Sequence, residues 1–226
     1  MIIFGKKVTM NSLTEENYLK AIYRLSQSRK MKISPTAIAE AISVNAASVV
    51  DMIKKLSEKK LISYDKTKGA KLTDKGMKTA LAIVRNHRLW EVFLVEKLGY
   101  SWDVVHGIAE QLEHIKHPEL ADRLDKFLGY PKYDPHGDPI PKSSGEMPTT
   151  VKTLLSEIAL GKICRVATVK DTSPMFLKYL LQLSVSINTK IKVLDKIPFD
   201  GSMIIQIGKD TKTTVSKKFA ESLLVD

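Results

Sequence analysis

The 226-residue chain holds one cysteine, Cys164, which excludes an intramolecular disulfide and any cysteine-cluster zinc site. No apolar run reaches the roughly 18 residues that a membrane helix needs, so no membrane partner is expected. The opening MIIFGKKVTM carries an apolar patch too short for a secretory core and no small-residue cleavage site. Met10, in MNSLTEENYLK, reads like a natural beginning, which makes residues 1–9 an expected upstream extension. Catalytic signatures are missing too: there is no H-E-x-x-H, no Gly-rich phosphate loop, no nucleophile elbow and no Cys–His pairing. An enzyme is therefore not expected, and a cytoplasmic protein fits best. Histidine is scarce and confined, with all five lying between His87 and His136.

The charge is uneven. The formal net charge is +11, and residues 1–80 hold 16 Lys+Arg against 7 Asp+Glu, a net of +9, whereas residues 81–226 hold 20 against 18, a net of +2. A basic front followed by a near-neutral remainder points either to a polyanion partner for the first part or to a basic solvated face.

Helical spacing organises that basic part. TEENYLKAIYRLSQS, 14–28, opens with a weak capping box from Thr14 to Asn17 and places Tyr18, Leu19, Ile22 and Leu25 on one face. A second helix is expected from Ser34 as N-cap with Pro35 at its first position, and a third from Asn45 with Val49, Met52, Ile53 and Leu56 inward. LISYDKTKGAKLT then gives two short β-like runs around a turn at 66–69. Helix, turn, helix and basic hairpin make a winged helix-turn-helix, whose third helix enters the major groove while the wing lies along phosphate. Asn45, Ala46, Ala47, Ser48 and Asp51 are small or polar and stand at the front of the expected recognition helix; Ser34 and Thr36 join them at the start of the second. Lys54, Lys55, Lys66, Lys68 and Lys71 are placed to meet phosphates. The bland reading of the same pattern is an ordinary small helical domain.

A long helix is expected from about Thr73 to Leu98, and its LWEVFLVEKL suits either a dimer interface or a buried core. Helices at 101–115 and 117–128 follow, then an irregular Pro- and Gly-dense segment, 130–148. Beyond residue 150, β-branched runs with one short helix near PMFLKYLLQL read as a small β-barrel. The fold class is mainly α with a small β domain.

Within this middle stretch HGIAEQLEH, 106–114, gathers His106, Glu110, Glu113 and His114. With Trp102 at zero and about 100° per residue, these four fall at roughly 40°, 80°, 20° and 120°, apart from an apolar face. His87 and Glu91 stand at i,i+4 on the preceding helix, and the loop adds Asp134 and His136. Imidazole and carboxylate without thiolate suit first-row divalent metals. A solvated face of His–Glu hydrogen bonds is the competing reading.

The chain resembles the metal-dependent transcriptional repressors of the diphtheria toxin repressor and manganese transport regulator type. The resemblance is carried by EENYLKAIYRL, NAASVVDMIKKL, LTDKG, RNHRLWEVFLV, VHGIAEQLEHI and PHGDPIP, and spans nearly the whole chain from Met10. It implies a winged helix-turn-helix domain at 10–73, a helical dimerisation and metal-binding domain at 74–141, and at 150–226 an SH3-like domain related to ferrous-iron-transport protein A. It also implies a homodimer that binds palindromic double-stranded operator DNA of metal-uptake genes with a divalent metal as co-repressor.

By position, the resemblance implies a primary metal site of Glu110, Glu113 and His114 with Asn17 from the first helix. A second site would use Glu91, Asp134, His136 and Asp171, with His87 and His106 as alternatives. Members often carry Asp or Met where this chain has Asn17, so Glu16 is the substitute ligand to consider; Asp171 reads equally as a turn aspartate capping the helix near Pro174. Some members have Cys at the positions of Glu110 and Asp134; oxygen at both favours manganese(II) over iron(II). A metal-handling protein without specific DNA binding is the alternative function.

Overall fold

The computed structural model describes residues 11–27, 32–148, 152–208 and 211–226; the extension 1–9 and the expected domain starts at residues 10 and 150 lie outside the described residues. The chain divides into two compact units, Met1–Arg85 and Asn86–Asp226, and the division falls inside one long helix.

The first unit opens with α1, Leu13–Ser26, whose start differs from the expected one. Ser12, not Thr14, is the N-cap. The Glu15 amide donates to the Ser12 hydroxyl at 3.3 Å, and the Ser12 amide donates back to the Glu15 carboxylate at 2.8 Å. An ionised carboxylate accepts that amide better than the Asn17 side chain would, and it sits at the positive end of the helix, so the earlier start wins. Helices α2 (Pro35–Ala41) and α3 (Ala46–Glu58) begin where the sequence places them: the Ser34 hydroxyl accepts from the Ala37 amide and the Asn45 side chain from the Ala47 amide.

Leu19, Ile22, Ile38, Val49, Ile53 and Leu56 bury the apolar faces of the three helices. Strands β1 (Ile62–Asp65) and β2 (Gly69–Leu72) pair antiparallel as the wing, with Ile62 opposite Leu72. The Asp65 carboxylate closes the turn by accepting the amides of Thr67 and Lys68. Gly76 lies in the first turn of α4, Asp74–Glu96, against the wing; a Cβ there would stand 1.8 Å from the Leu61 carbonyl oxygen.

The second unit holds the rest of α4, then α5 (Val105–Leu112) and α6 (Leu120–Phe127), both shorter than expected. A turn closed by the Val104 amide on the Ser101 carbonyl precedes α5, so residues 101–104 are not helical. Glu113 is the C-cap of α5 and His114 follows it, but the Glu113 backbone stays right-handed (φ −60, ψ −22), so it continues the direction of the polar stripe.

After the 130–148 segment come β3 (Thr153–Leu154), β4 (Ile163–Val169), α7 (Pro174–Gln182), β5 (Lys190–Lys196), β6 (Met203–Ile207), β7 (Thr211–Val215), α8 (Lys217–Ser222) and β8 (Leu223–Val225). The strands form one antiparallel sheet in the order β3-β8-β4-β5-β6-β7. Irregularities at Val166/Thr168 and Val193/Asp195 bend it toward the expected barrel, with β3 and β7 as its edges. Helix α8 lies in a run expected to be β: Ser216 caps it, and burial of Phe219 and Ala220 holds it on the sheet. Cys164 is free and buried, as a lone cysteine requires. Trp102, which precedes α5, lies in the same core cluster as Leu155, Val166 and Phe219. Among the described residues no single helix is long and apolar enough to cross a membrane.

Gly76→Ala should destabilise the winged unit by about 1–3 kcal/mol, because the new methyl meets backbone rather than a movable side chain. Thermal unfolding checks this; an unchanged Tm would contradict the close approach.

Candidate metal centre and nucleic-acid face

Helix α4 presents His87 and Glu91 one turn apart, α5 presents His106 and Glu110, its cap adds Glu113 and His114, and the loop adds Asp134 and His136. Glu91 and His136 are each 2% exposed and His87 4%. A carboxylate so buried stays charged only with cationic or hydrogen-bonding partners. Glu91 has three. Its Oε1 meets His87 Nε2 at 3.0 Å and His106 Nδ1 at 3.1 Å, and its Oε2 meets His136 Nδ1 at 3.4 Å.

Burial alone would raise the Glu91 pKa, but the bonds to His106, His136 and His87 outweigh it and hold the carboxyl well below the usual range. In return, although burial works against it, the bond to Glu91 pushes His136 up to about 9. Glu110 and then Glu91 raise His106. Burial, reinforced by the nearby Glu91 charge, lifts Asp134 to about 7.

The far ring nitrogens are engaged as well. His136 Nε2 lies 2.9 Å from the Trp102 carbonyl oxygen, which can only accept, so Nε2 carries the hydrogen and Nδ1 faces Glu91. His87 Nδ1 lies 2.6 Å from Glu113 Oε2, which leaves its Nε2 toward Glu91. An acceptor on the far nitrogen is how proteins aim an imidazole lone pair at a metal.

Two compact donor sets result among the described residues: His87, Glu91 and His106, and Glu91, Asp134 and His136. In the first, the three donor atoms are 3.0, 3.1 and 3.1 Å apart. Adjacent ligands of an octahedral ion with bonds of about 2.1 Å stand about 3.0 Å apart, so the set fits a first-row divalent ion.

The remaining expected ligands are placed differently. Glu113 joins the first set through His87 and lies 3.5 Å from His114; Glu110 joins through His106 Nε2 at 3.4 Å. Asn17 is exposed on α1 in the other unit, beside buried Glu16. Asp171 belongs to neither donor set; its carboxylate accepts the Ser173 amide just ahead of α7, the turn role that the sequence also allowed.

Sequence reasoning missed Arg88, whose Nε lies 3.5 Å from Asp134 Oδ2, and the Trp102 carbonyl. Neither contact has a local signal, because the partners are 46 and 34 residues apart. The loop itself is held by the sheet domain: the Val169 amide donates to the His136 carbonyl, and Lys152 and Thr168 both donate to the Gly137 carbonyl.

In the first unit, Asn45, Ala46, Ala47, Ser48 and Asp51 lie exposed at the front of α3, and Thr36 is exposed on α2. Ser34 is half-buried and occupied as a cap. Lys54, Lys55, Lys66, Lys68 and Lys71 are exposed, and the Lys55 ammonium also lies 3.1 Å from Glu15 on α1.

The proton on His136 Nδ1 must leave before that nitrogen can ligate, and it is held up to about pH 9. Divalent-metal affinity at this cluster should therefore fall as pH drops below about 9. Calorimetric titration in buffers of different ionisation enthalpy should reveal proton release near neutral pH; heats independent of buffer would contradict it.

Three family models match successive parts of the chain. The model described as "Iron dependent repressor, N-terminal DNA binding domain" matches residues 10–70. "Iron dependent repressor, metal binding and dimerisation domain" matches 73–142, and "FeoA domain" matches 153–226. The iron-dependent repressor IdeR of Mycobacterium bovis is 34% identical over 134 residues, spanning 58% of this chain and 58% of that protein. The regulator MntR of Oceanobacillus iheyensis is 35% identical over 119 residues, 53% of this chain and 80% of its own length. A solved manganese-dependent transcriptional repressor in complex with manganese shares 36% identity with a TM-score of 0.85, over 93% of this chain and 98% of that one. A DNA-binding domain, a metal-binding and dimerisation domain and a FeoA domain thus follow one another along this sequence, and the chain belongs to the iron-dependent repressor family of metal-dependent transcriptional regulators, which are not enzymes.

Proposed function

We propose that this chain is a homodimeric repressor that binds palindromic operators of metal-uptake genes in the cytoplasm when loaded with a divalent metal, manganese(II) favoured over iron(II). The observation that carries the reading is the buried carboxylate–imidazole cluster around Glu91, in a chain whose other unit exposes a recognition helix. Oxygen donors at Glu110 and Asp134 support manganese.

The primary site is assigned to Glu110, Glu113 and His114 with Asn17 or Glu16 from α1, and the second to Glu91, Asp134 and His136 with His87, His106 and Asp171. A bound divalent ion supplies the positive charge that lets these carboxylates sit together. By binding it from both units, Asn17 and Glu113 bias the population toward one arrangement of the DNA-binding domain. In the dimer, that arrangement sets the two α3 helices at half-sites about one helical turn apart, or a multiple of it. Asn45, Ala46, Ala47, Ser48 and Asp51 face base edges, with Ser34 and Thr36 beside them, and Lys54, Lys55 and Lys68 meet phosphate.

Fluorescence anisotropy on palindromic promoter DNA tests the reading. Manganese should tighten operator binding by roughly tenfold or more over chelator, within the range of about 5–150-fold usual for such coupling. Equal binding with and without every metal tried would overturn it. Glu113→Gln should abolish the metal-dependent tightening while leaving the dimer intact in sedimentation. Lys68→Ala should weaken binding on all sequences and lower the salt slope by about one; an unchanged slope would remove Lys68 from the phosphate contacts.

A further inference from the structure

We infer that the second metal site holds two divalent ions per chain, with Glu91 as the carboxylate bridging them, one ion among His87, Glu91 and His106 and the other among Glu91, Asp134 and His136. The inference rests on the metal-binding reading above and deepens it.

The two oxygens of Glu91 serve different partners. Oε1 closes a near-equilateral triangle with His87 Nε2 and His106 Nδ1. Oε2 faces His136 Nδ1 at 3.4 Å. The donors group into two sets that share only Glu91, each set lying within 4.8 Å. Each oxygen of the Glu91 carboxylate thus has its own set of donor neighbours, Oε1 the imidazoles of His87 and His106 and Oε2 that of His136.

The far side of each imidazole supports the same partition. Glu113 holds His87 Nδ1, and the Trp102 carbonyl holds His136 Nε2, so two ring nitrogens on different chain segments are aimed at opposite oxygens of one carboxylate. Charge orders the two positions. Asp134 Oδ1 already accepts the amides of His136 and Asp138, and Arg88 stands near Oδ2. The Asp134 position should therefore fill after the His106 position.

The test is manganese stoichiometry by equilibrium dialysis on the full chain, paired with electron paramagnetic resonance of the bound ions. His106→Gln and Asp134→Asn should each lose one ion per chain relative to the unmodified chain. The double variant and Glu91→Gln should each lose two. The fully loaded chain should show the broadened spectrum of two spin-coupled manganese ions, and Glu91→Gln should restore the sharp six-line pattern of isolated ions. If the two single variants and the double variant all lost the same one ion, the site would be mononuclear and the inference wrong. Loss of only one ion in Glu91→Gln, or a fully loaded chain whose spectrum is that of isolated ions, would remove the bridge. A chain that took up no manganese at all would instead remove the metal reading, and this inference with it.

Discussion

A carboxylate buried at Glu91 is the constraint around which the second unit is built. Its charge survives there only because three imidazoles from three chain segments meet it: His87 from α4, His106 from α5 and His136 from the loop. Each segment must then be fixed by something else. The β domain fixes the loop, through the Val169 amide on the His136 carbonyl and through Lys152 and Thr168 on the Gly137 carbonyl. Gly137 itself has φ +82, and a Cβ there would lie 1.9 Å from the Ala167 carbonyl oxygen, so only glycine lets the strand approach so closely. Trp102 serves both sides, its ring in the core of the β domain and its carbonyl on His136.

This arrangement gives the FeoA domain a physical role inside its own unit. It buttresses the irregular Asp134–Asp138 loop, which the Asp134 carboxylate also closes by accepting the amides of His136 and Asp138. The position of His136 is therefore held in part by β4, 27 or more residues away in sequence, and the helical and β parts of the unit share one polar centre as well as adjacent cores.

Much of this was legible in the sequence where the signal is local. Ser34–Pro35 and Asn45 start helices because caps act within one turn, and the wing follows from short β-like runs around a Lys- and Gly-bearing turn. The i,i+4 spacing of His87 and Glu91 and the confinement of histidine to one stretch marked the cluster. Legibility failed where two local preferences competed or the partner was distant. Ser12 with Glu15 displaced Thr14 with Asn17 as the cap of α1, and burial of Phe219 turned an expected strand into α8. The Lys55–Glu15 pair, the Arg88–Asp134 pair and the Trp102 carbonyl each join residues at least 34 apart, a separation at which no periodicity can announce them.

For the regulator as a whole, the proposed coupling is thermodynamic: metal binding and operator binding each change the affinity for the other. Such a coupling must be reciprocal. The most direct measurement is the manganese affinity of the full chain, titrated free and then saturated with operator DNA. The account predicts that operator tightens manganese binding by the same factor by which manganese tightens operator binding. Manganese affinity identical with and without operator would contradict it.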